Sequence, residues 1–82
     1  MKSAKPTEVR VGQVWRDLDD RIKTGYRHIV IARMTGHGGF WAARCDADGR
    51  YRQDTERRYK TAAFLRRANT KSGFGLTIDV QP

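Results

Sequence analysis

Hydrophobic residues in this chain fall into five short runs, each bounded by segments that contain glycine or aspartate. The clearest run covers residues 26–35, which are rich in β-branched side chains and contain no proline or glycine, as is typical of a strand. Further runs cover residues 9–15, 40–45, 51–60 and 74–80, and the last of these places apolar side chains at alternate positions. The pattern therefore predicts five β-strands.

The segments between these runs predict tight turns. Residues 36–39 are three glycines and a histidine, and residues 46–49 end in Asp-Gly, which is a strong hairpin signal. Residues 61–68 are the only good helical stretch, and their length fits a single α or 3₁₀ turn before the last strand. Short antiparallel strands in so small a chain protect their edges by curling into a barrel. We therefore expect a mainly β fold, a small antiparallel five-stranded SH3-like barrel, with residues 1–8 as a disordered leader and residues 9–82 as one domain.

The length and the cysteine content limit the class of protein. A chain of 82 residues forms one domain, near the lower size limit for a self-supporting core. A single cysteine, Cys45, excludes an internal disulfide framework. The first residues lack the apolar run of a signal peptide, and no apolar window approaches the ~20 residues that cross a bilayer. These features predict a cytoplasmic protein with no membrane partner.

The charge balance indicates an anionic partner. Lysine and arginine number 17 against 9 aspartates and glutamates, the net charge is +8 at pH 7, and most of the cations are arginines. Such a surface attracts polyanions, of which nucleic acid is the commonest, and guanidinium groups suit phosphate better than ammonium groups do. The alternative is that the arginine content reflects a GC-rich genome and carries no binding role.

Asp17, Asp19 and Asp20 lie within four positions of one another and raise the question of a metal or catalytic site. Such a site needs carboxylates that converge on one point, and no histidine, cysteine or further carboxylate is near in sequence. Loop aspartates commonly accept backbone N–H bonds and pair with nearby arginines. The candidates for that pairing are Arg16, Arg21 and Arg27. We therefore predict a turn, with no metal and no cofactor.

Two segments of the chain carry a resemblance to a known group of proteins. Residues 12–15 are Gly-Gln-Val-Trp, and a loop of aspartates and arginines follows them; residues 65–74 are a short basic segment that ends in Thr, Lys, Ser, Gly and Phe. The chain resembles small actinobacterial and phage proteins of unknown function over most of its length, from Val9 to Leu76. It departs from them at Ala68, where proline is expected, and at Phe74, where tyrosine is more usual. The resemblance implies a small β-barrel of bacterial or phage origin and implies no activity.

Adjacent aromatic residues indicate a binding surface. Phe40 and Trp41 lie in one predicted strand, so their side chains point to opposite faces, and we expect one ring to face outward. Arg33 and Arg44 lie on the hairpin that carries the two rings. An exposed ring beside guanidinium groups stacks on bases while the cations contact phosphates. The alternative is that both rings are buried.

Two further basic clusters complete the candidate surface. One is the fourth strand, where Asp54 and Glu56 dilute the cations, so that a solvated strand with cross-strand ion pairs is an equal alternative. The other lies at the helical turn and the loop after it. The candidate nucleic-acid-binding residues are Arg33, Phe40, Trp41, Arg44, Arg50, Arg52, Arg58, Arg66, Arg67 and Lys71.

Nothing in the sequence predicts catalysis. No Ser/His/Asp or Cys/His arrangement is recognisable, and the glycine-rich residues 36–39 precede a strand rather than the helix that follows a phosphate-binding loop. We expect a non-enzymatic binding module for DNA or RNA, without a small-molecule cofactor. The alternative is a phage-type protein that docks on a bacterial host protein and modulates it. The first hypothesis expects a contiguous cationic patch, and the second expects an exposed apolar patch.

Overall fold

The structure of the protein, a computed structural model, describes residues 8–19, 21, 27–51 and 55–80. Its elements are β1 (Val14–Asp17), β2 (His28–Met34), β3 (Gly39–Cys45), β4 (Arg57–Lys60), α1 (Thr61–Arg66) and β5 (Phe74–Ile78). The predicted mainly β fold, with one short helix before the last strand, is confirmed. Apart from Glu8, the predicted leader lies outside the described residues.

The five strands form one antiparallel sheet in the order β4-β3-β2-β1-β5. β2 and β3 form a hairpin whose turn includes Gly38 at φ +73°. β5 returns beside β1, so the two ends of the domain meet in the sheet. The sheet is not closed, because β4 and β5 are its edges and have no hydrogen-bonded ladder between them among the described residues. The sheet was expected to curl into a barrel; its two edge strands come near each other, but no backbone hydrogen bonds between the described residues close it.

β2 and β5 differ from their predicted bounds by one or two residues at an end, whereas β1 and β4 begin well after their predicted starts. β1 begins at Val14 because Gly12, at φ +96°, forms a turn that breaks the strand expected from residue 9. β4 begins at Arg57, and within the expected strand 51–60 Tyr51 makes only a single bridge to Cys45. Residues 52–54 of that expected strand lie outside the described residues.

Alternation along the strands divides the buried side chains between two faces of the sheet. The larger set lies on what we term the core face and comprises Trp15, Ile29, Ile31, Phe40 and Ala42 from the strands. The smaller set lies on the opposite, outer face and comprises Val14, Val30, Ala43 and Cys45. α1 covers the core face, where Phe64 meets Trp15 and Phe40 edge to face with ring centroids 4.8 and 5.0 Å apart. Such arrangements stabilise a core beyond the area that they bury.

Three aromatic rings span the gap between the two edge strands. Tyr59 of β4, Phe64 of α1 and Phe74 of β5 form what we term the aromatic seam. Phe64 stacks on Phe74 at 5.3 Å between centroids, and Tyr59 lies 5.9 Å from Phe64 and 6.2 Å from Phe74. Side-chain packing therefore joins β4 to β5 where the backbone does not.

Gln13 is buried beside Trp15 and uses both ends of its amide. Its Oε1 accepts hydrogen bonds from the Trp15 indole N–H at 3.1 Å and from the Arg10 backbone N–H at 2.9 Å. Its Nε2 donates to Asp79 Oδ1 at 2.9 Å and to the Glu8 carbonyl oxygen at 3.4 Å. One side chain thus connects the start of the domain, the central tryptophan and the segment after β5. The Gly-Gln-Val-Trp segment has a structural role, since each of its residues has a defined place in the fold.

Gln13→Leu should lower the free energy of unfolding by about 1–3 kcal/mol, because it leaves the buried indole N–H of Trp15 without an acceptor. Urea unfolding followed by circular dichroism measures the change. Asp79→Ala is the matched control: it removes the bonds that Asp79 accepts from Gln13 Nε2 and from the Val80 backbone N–H, keeps the acceptor of Trp15, and should cost less. Equal stability of Gln13→Leu and the wild type would show that the amide network does not hold the fold.

Candidate nucleic-acid interface

Phe40 and Trp41 point to opposite faces of β3, as their adjacency predicts. Phe40 is fully buried on the core face and stacks on Tyr59 with centroids 5.3 Å apart. Trp41 lies on the outer face and is partly exposed. Trp41 is therefore the outward ring, and Phe40 is a core residue that a ligand does not reach.

Trp41 stands between two arginines on the neighbouring strands. The register of the sheet pairs Trp41 with Arg33 on β2 and with Arg58 on β4. The guanidinium carbon of Arg33 lies 4.9 Å from the centroid of the Trp41 ring, within the range of a cation–π interaction. Arg58 is exposed and has no ion-pair partner among the described residues. We term this set of three side chains the Arg-Trp-Arg row.

Glu56 fixes the position of Arg33. Its Oε1 lies 2.7 Å from Arg33 Nη1, and its side chain is more buried than that of the arginine. The sequence suggested that Glu56 dilutes the cations of the fourth strand, with cross-strand ion pairs as the equal alternative, and it named no partner for Glu56. In the structure it pairs across to β2 and holds the guanidinium over the Trp41 ring.

Arg44 lies apart from this row. It is three residues from Trp41 along β3, so it belongs to the core face, and the register pairs it with Ile29. Its Nη1 is buried and lies 3.7 Å from Asp17 Oδ2. This arginine pairs with the carboxylate of the last residue of β1 and is not presented beside the outward ring.

The remaining predicted cations occupy two other places. Arg50 is exposed at the end of the turn after β3, and Arg52 lies outside the described residues. Arg66, Arg67 and Lys71 are exposed on α1 and the loop that follows it, so they belong to the side of the sheet that α1 covers. The described cations therefore form separate groups, of which only the Arg-Trp-Arg row combines guanidinium groups with an outward aromatic ring.

Asp17, the last residue of β1, and Asp19 form a hydrogen-bonded turn, as predicted. Asp17 Oδ1 accepts the backbone N–H of Asp19 at 3.0 Å, and Asp19 Oδ1 accepts the backbone N–H of Arg21 at 3.0 Å. Asp19 also pairs with the Arg21 side chain at 2.8 Å, one of the pairings that the sequence suggested, whereas the Asp17 partner, Arg44, was missed. Asp20 lies outside the described residues, among which no group of three potential ligands could hold a metal ion.

Two residues with potential chemistry favour their uncharged forms at neutral pH. Burial raises the pKa of the Cys45 thiol to about 11, so the thiolate is scarce at neutral pH. His28 lies on the outer face, where burial and the nearby Arg16 and Arg27 lower its pKa. The neutral imidazole is therefore favoured near pH 7 and adds no charge to this face.

Acidification should remove the contribution of the Asp19 carboxylate to stability. Hydrogen bonds from Arg21 lower the pKa of Asp19 from 3.8 to about 2. A carboxylate whose pKa is lower in the folded state than in the unfolded state stabilises the fold. This stabilisation is complete at pH values above the unfolded-state pKa, and it is lost as the pH falls toward the folded-state pKa. The difference in Tm between wild type and Asp19→Asn should therefore be clear at neutral pH and mostly lost by about pH 2.

Asp48→Asn, in the exposed turn after β3, is the control for removing a surface carboxylate. Its Tm should stay close to that of the wild type at both pH values. A difference between wild type and Asp19→Asn that stays constant between the two pH values would contradict the Asp19–Arg21 interaction.

Comparisons with protein-family models, curated proteins and solved structures gave no match. The resemblance to actinobacterial and phage proteins therefore stays a prediction. No helix in the described part of the chain is long and apolar enough to cross a membrane. The feature that bears on function is the Arg-Trp-Arg row on the outer face.

Proposed function

We propose that the protein binds nucleic acid through the outer face of its sheet, with Trp41 as the stacking residue and Arg33 and Arg58 as the flanking cations. The observation that carries this proposal is the Arg-Trp-Arg row, in which three adjacent strands contribute one side chain each. The net charge of +8 supports it, since a cationic surface attracts a polyanion at long range.

The chemistry of the row suits a single strand. Bases stack on tryptophan rings and on guanidinium planes, and each base offers such a face whatever its identity. The guanidinium of Arg33, which lies over the Trp41 ring and pairs with Glu56, offers a second surface on which a base can stack. Arg58 has no ion pair among the described residues and supplies a phosphate contact. Binding of this kind has weak sequence preference, because it does not read the edges of the bases.

The proposal includes a finer description of the fold. The strand order β4-β3-β2-β1-β5 and the short helix before the last strand fit an SH3-like barrel. In this description the aromatic seam takes the place of the missing ladder between β4 and β5. The outer face is then the outside of the barrel wall, where a ligand meets no obstruction from α1.

A second candidate function is docking on a bacterial host protein. Val11 and Ile78 are 52% and 40% exposed, and Ile78 pairs with Val14, three residues after Val11. These apolar side chains lie near the start of β1. They favour a protein partner at this end of the domain if nucleic acid does not bind.

Arg58→Ala should reduce the salt dependence of binding to a labelled single-stranded oligonucleotide. Each phosphate contact contributes ~0.7–0.9 log units of affinity for each tenfold change in salt, so the slope should fall by about that amount. Fluorescence anisotropy over a salt series measures the slope. Arg66→Ala makes the same change in charge on α1 and should leave the slope nearly unchanged. Equal effects of the two variants would show that the row has no special role.

Trp41→Ala should weaken single-strand binding by ~1–3 kcal/mol, the contribution of one stacked base, with little change in stability. Phe40→Ala should instead lower the free energy of unfolding by ~3–5 kcal/mol, because it leaves a cavity in the core. Oligonucleotide titration and urea unfolding separate the two effects. Absence of binding by the wild type even at low salt would overturn the proposed function and favour the protein partner.

A further inference from the structure

A pocket of about 160 Å³ opens between β4, α1 and β5, at the place where the sheet is not closed. The aromatic seam forms its apolar floor. Lys60 and Arg67 lie at its rim, together with Ser72. The lining is completed by Ala63 and Gly73.

The size of the pocket matches one small ring. An apolar cavity of roughly 150 Å³ holds a benzene-sized molecule. Tyr59 and Phe74 lie nearly perpendicular, at 88°, so the floor offers both a ring face and a ring edge to an entering group. A flat six-membered ring packs well against such a corner, and among the bases the pyrimidines consist of one such ring.

The charges at the rim favour an anion attached to that ring. Lys60 and Arg67 are both exposed, and neither has an ion-pair partner among the described residues. The loop after α1 lies tightly against the helix end, since a Cβ at Gly73 would overlap the carbonyl oxygen of Arg67. This close approach places Ser72 beside Arg67 at the mouth of the pocket. An apolar floor with a cationic rim is complementary to an aromatic ring that carries a phosphate.

The pocket is continuous with the outer face. A groove of about 470 Å³ runs along β4 and is lined by Arg58, Tyr59 and Lys60, with His37 opposite them. Tyr59 and Lys60 belong to both the groove and the pocket. Lys60 is thus shared by the groove, which Arg58 lines, and by the pocket, which Arg67 lines.

We propose that this pocket binds one pyrimidine base of a single-stranded nucleic acid, with the adjoining phosphates on Lys60 and Arg67. This inference rests on the proposed function and adds to it a preference for unpaired pyrimidines. A base inside a duplex cannot enter the pocket, because its ring is stacked and paired. The outer face supplies general affinity, and the pocket supplies selectivity.

Neighbouring arginines on the helix provide the first test. Arg67 lines the pocket and Arg66 does not, so Arg67→Gln and Arg66→Gln make the same change in charge at adjacent positions. Oligo(dT), oligo(dA) and a duplex of about ten nucleotides per strand are suitable probes, since such lengths match the sites of single-strand binders. Arg67→Gln should weaken oligo(dT) binding and flatten its salt dependence by about one phosphate contact, and Arg66→Gln should do neither.

Filling the pocket provides the second test. Ala63 is exposed on α1 at the pocket mouth, so Ala63→Leu should occlude the pocket without disturbing the core. We expect it to weaken oligo(dT) binding about five-fold or more, the effect of losing one stacked base, and to leave duplex binding unchanged. Ala47→Leu, at an exposed alanine in the turn after β3, should change none of these affinities.

The outcomes separate this inference from the proposed function. Unchanged oligo(dT) binding by both Ala63→Leu and Arg67→Gln, with binding still weakened by Trp41→Ala, would overturn the pocket and leave the proposed function standing. Equal loss of oligo(dT) and duplex binding in Ala63→Leu would also overturn it. If the wild type binds none of the three probes at low salt, the proposed function fails and the assignment of the pocket fails with it.

Discussion

The buried indole N–H of Trp15 requires a hydrogen-bond acceptor inside the core, and the surrounding structure supplies one. A fully buried ring with an N–H group needs an acceptor beside it, because an unpaired buried donor costs about 1–3 kcal/mol. Gln13 supplies that acceptor from two residues away; its Oε1 also accepts the Arg10 backbone N–H, and its Nε2 donates to Glu8 and Asp79. The segments before β1 and after β5 are thereby held beside one strand. The place of β5 next to β1 is consistent with this set of hydrogen bonds around one buried amide.

Strand alternation then produces a core and a candidate binding surface from the same residues. Phe40 enters the core face, where it meets Tyr59 and Phe64, and Trp41, the next residue, is turned to the outer face. The strand backbone that carries Trp41 is thus held by the core behind it. Arg33 is held over the ring by Glu56, so the platform is arranged before any ligand arrives. Preorganisation of this kind reduces the entropy lost on binding.

Local patterns predicted the strands, the helical turn, the hydrogen-bonded aspartate turn and the opposite directions of Phe40 and Trp41, because each depends on residues close in sequence. The contacts that the sequence did not reveal join distant segments. Gln13 and Asp79 are 66 positions apart, and Arg33 and Glu56 are 23 apart. Arg44 was grouped with the outward ring because both are on β3, although three positions along a strand place it on the other face. Register and face, rather than composition, decide which of the many cations share a surface.

The aromatic seam has a consequence for how this fold tolerates change. Backbone ladders fix the spacing of neighbouring strands at roughly 4.8 Å and admit no variation. Between β4 and β5 the spacing is set by the rings of Tyr59, Phe64 and Phe74 instead. Exchange of one ring for a smaller or larger side chain alters the width of the opening while every ladder of the sheet stays intact. The hydrogen-bonded ladders are therefore the part of the fold that must be kept, and the opening between β4 and β5 is a part that evolution or design can resize.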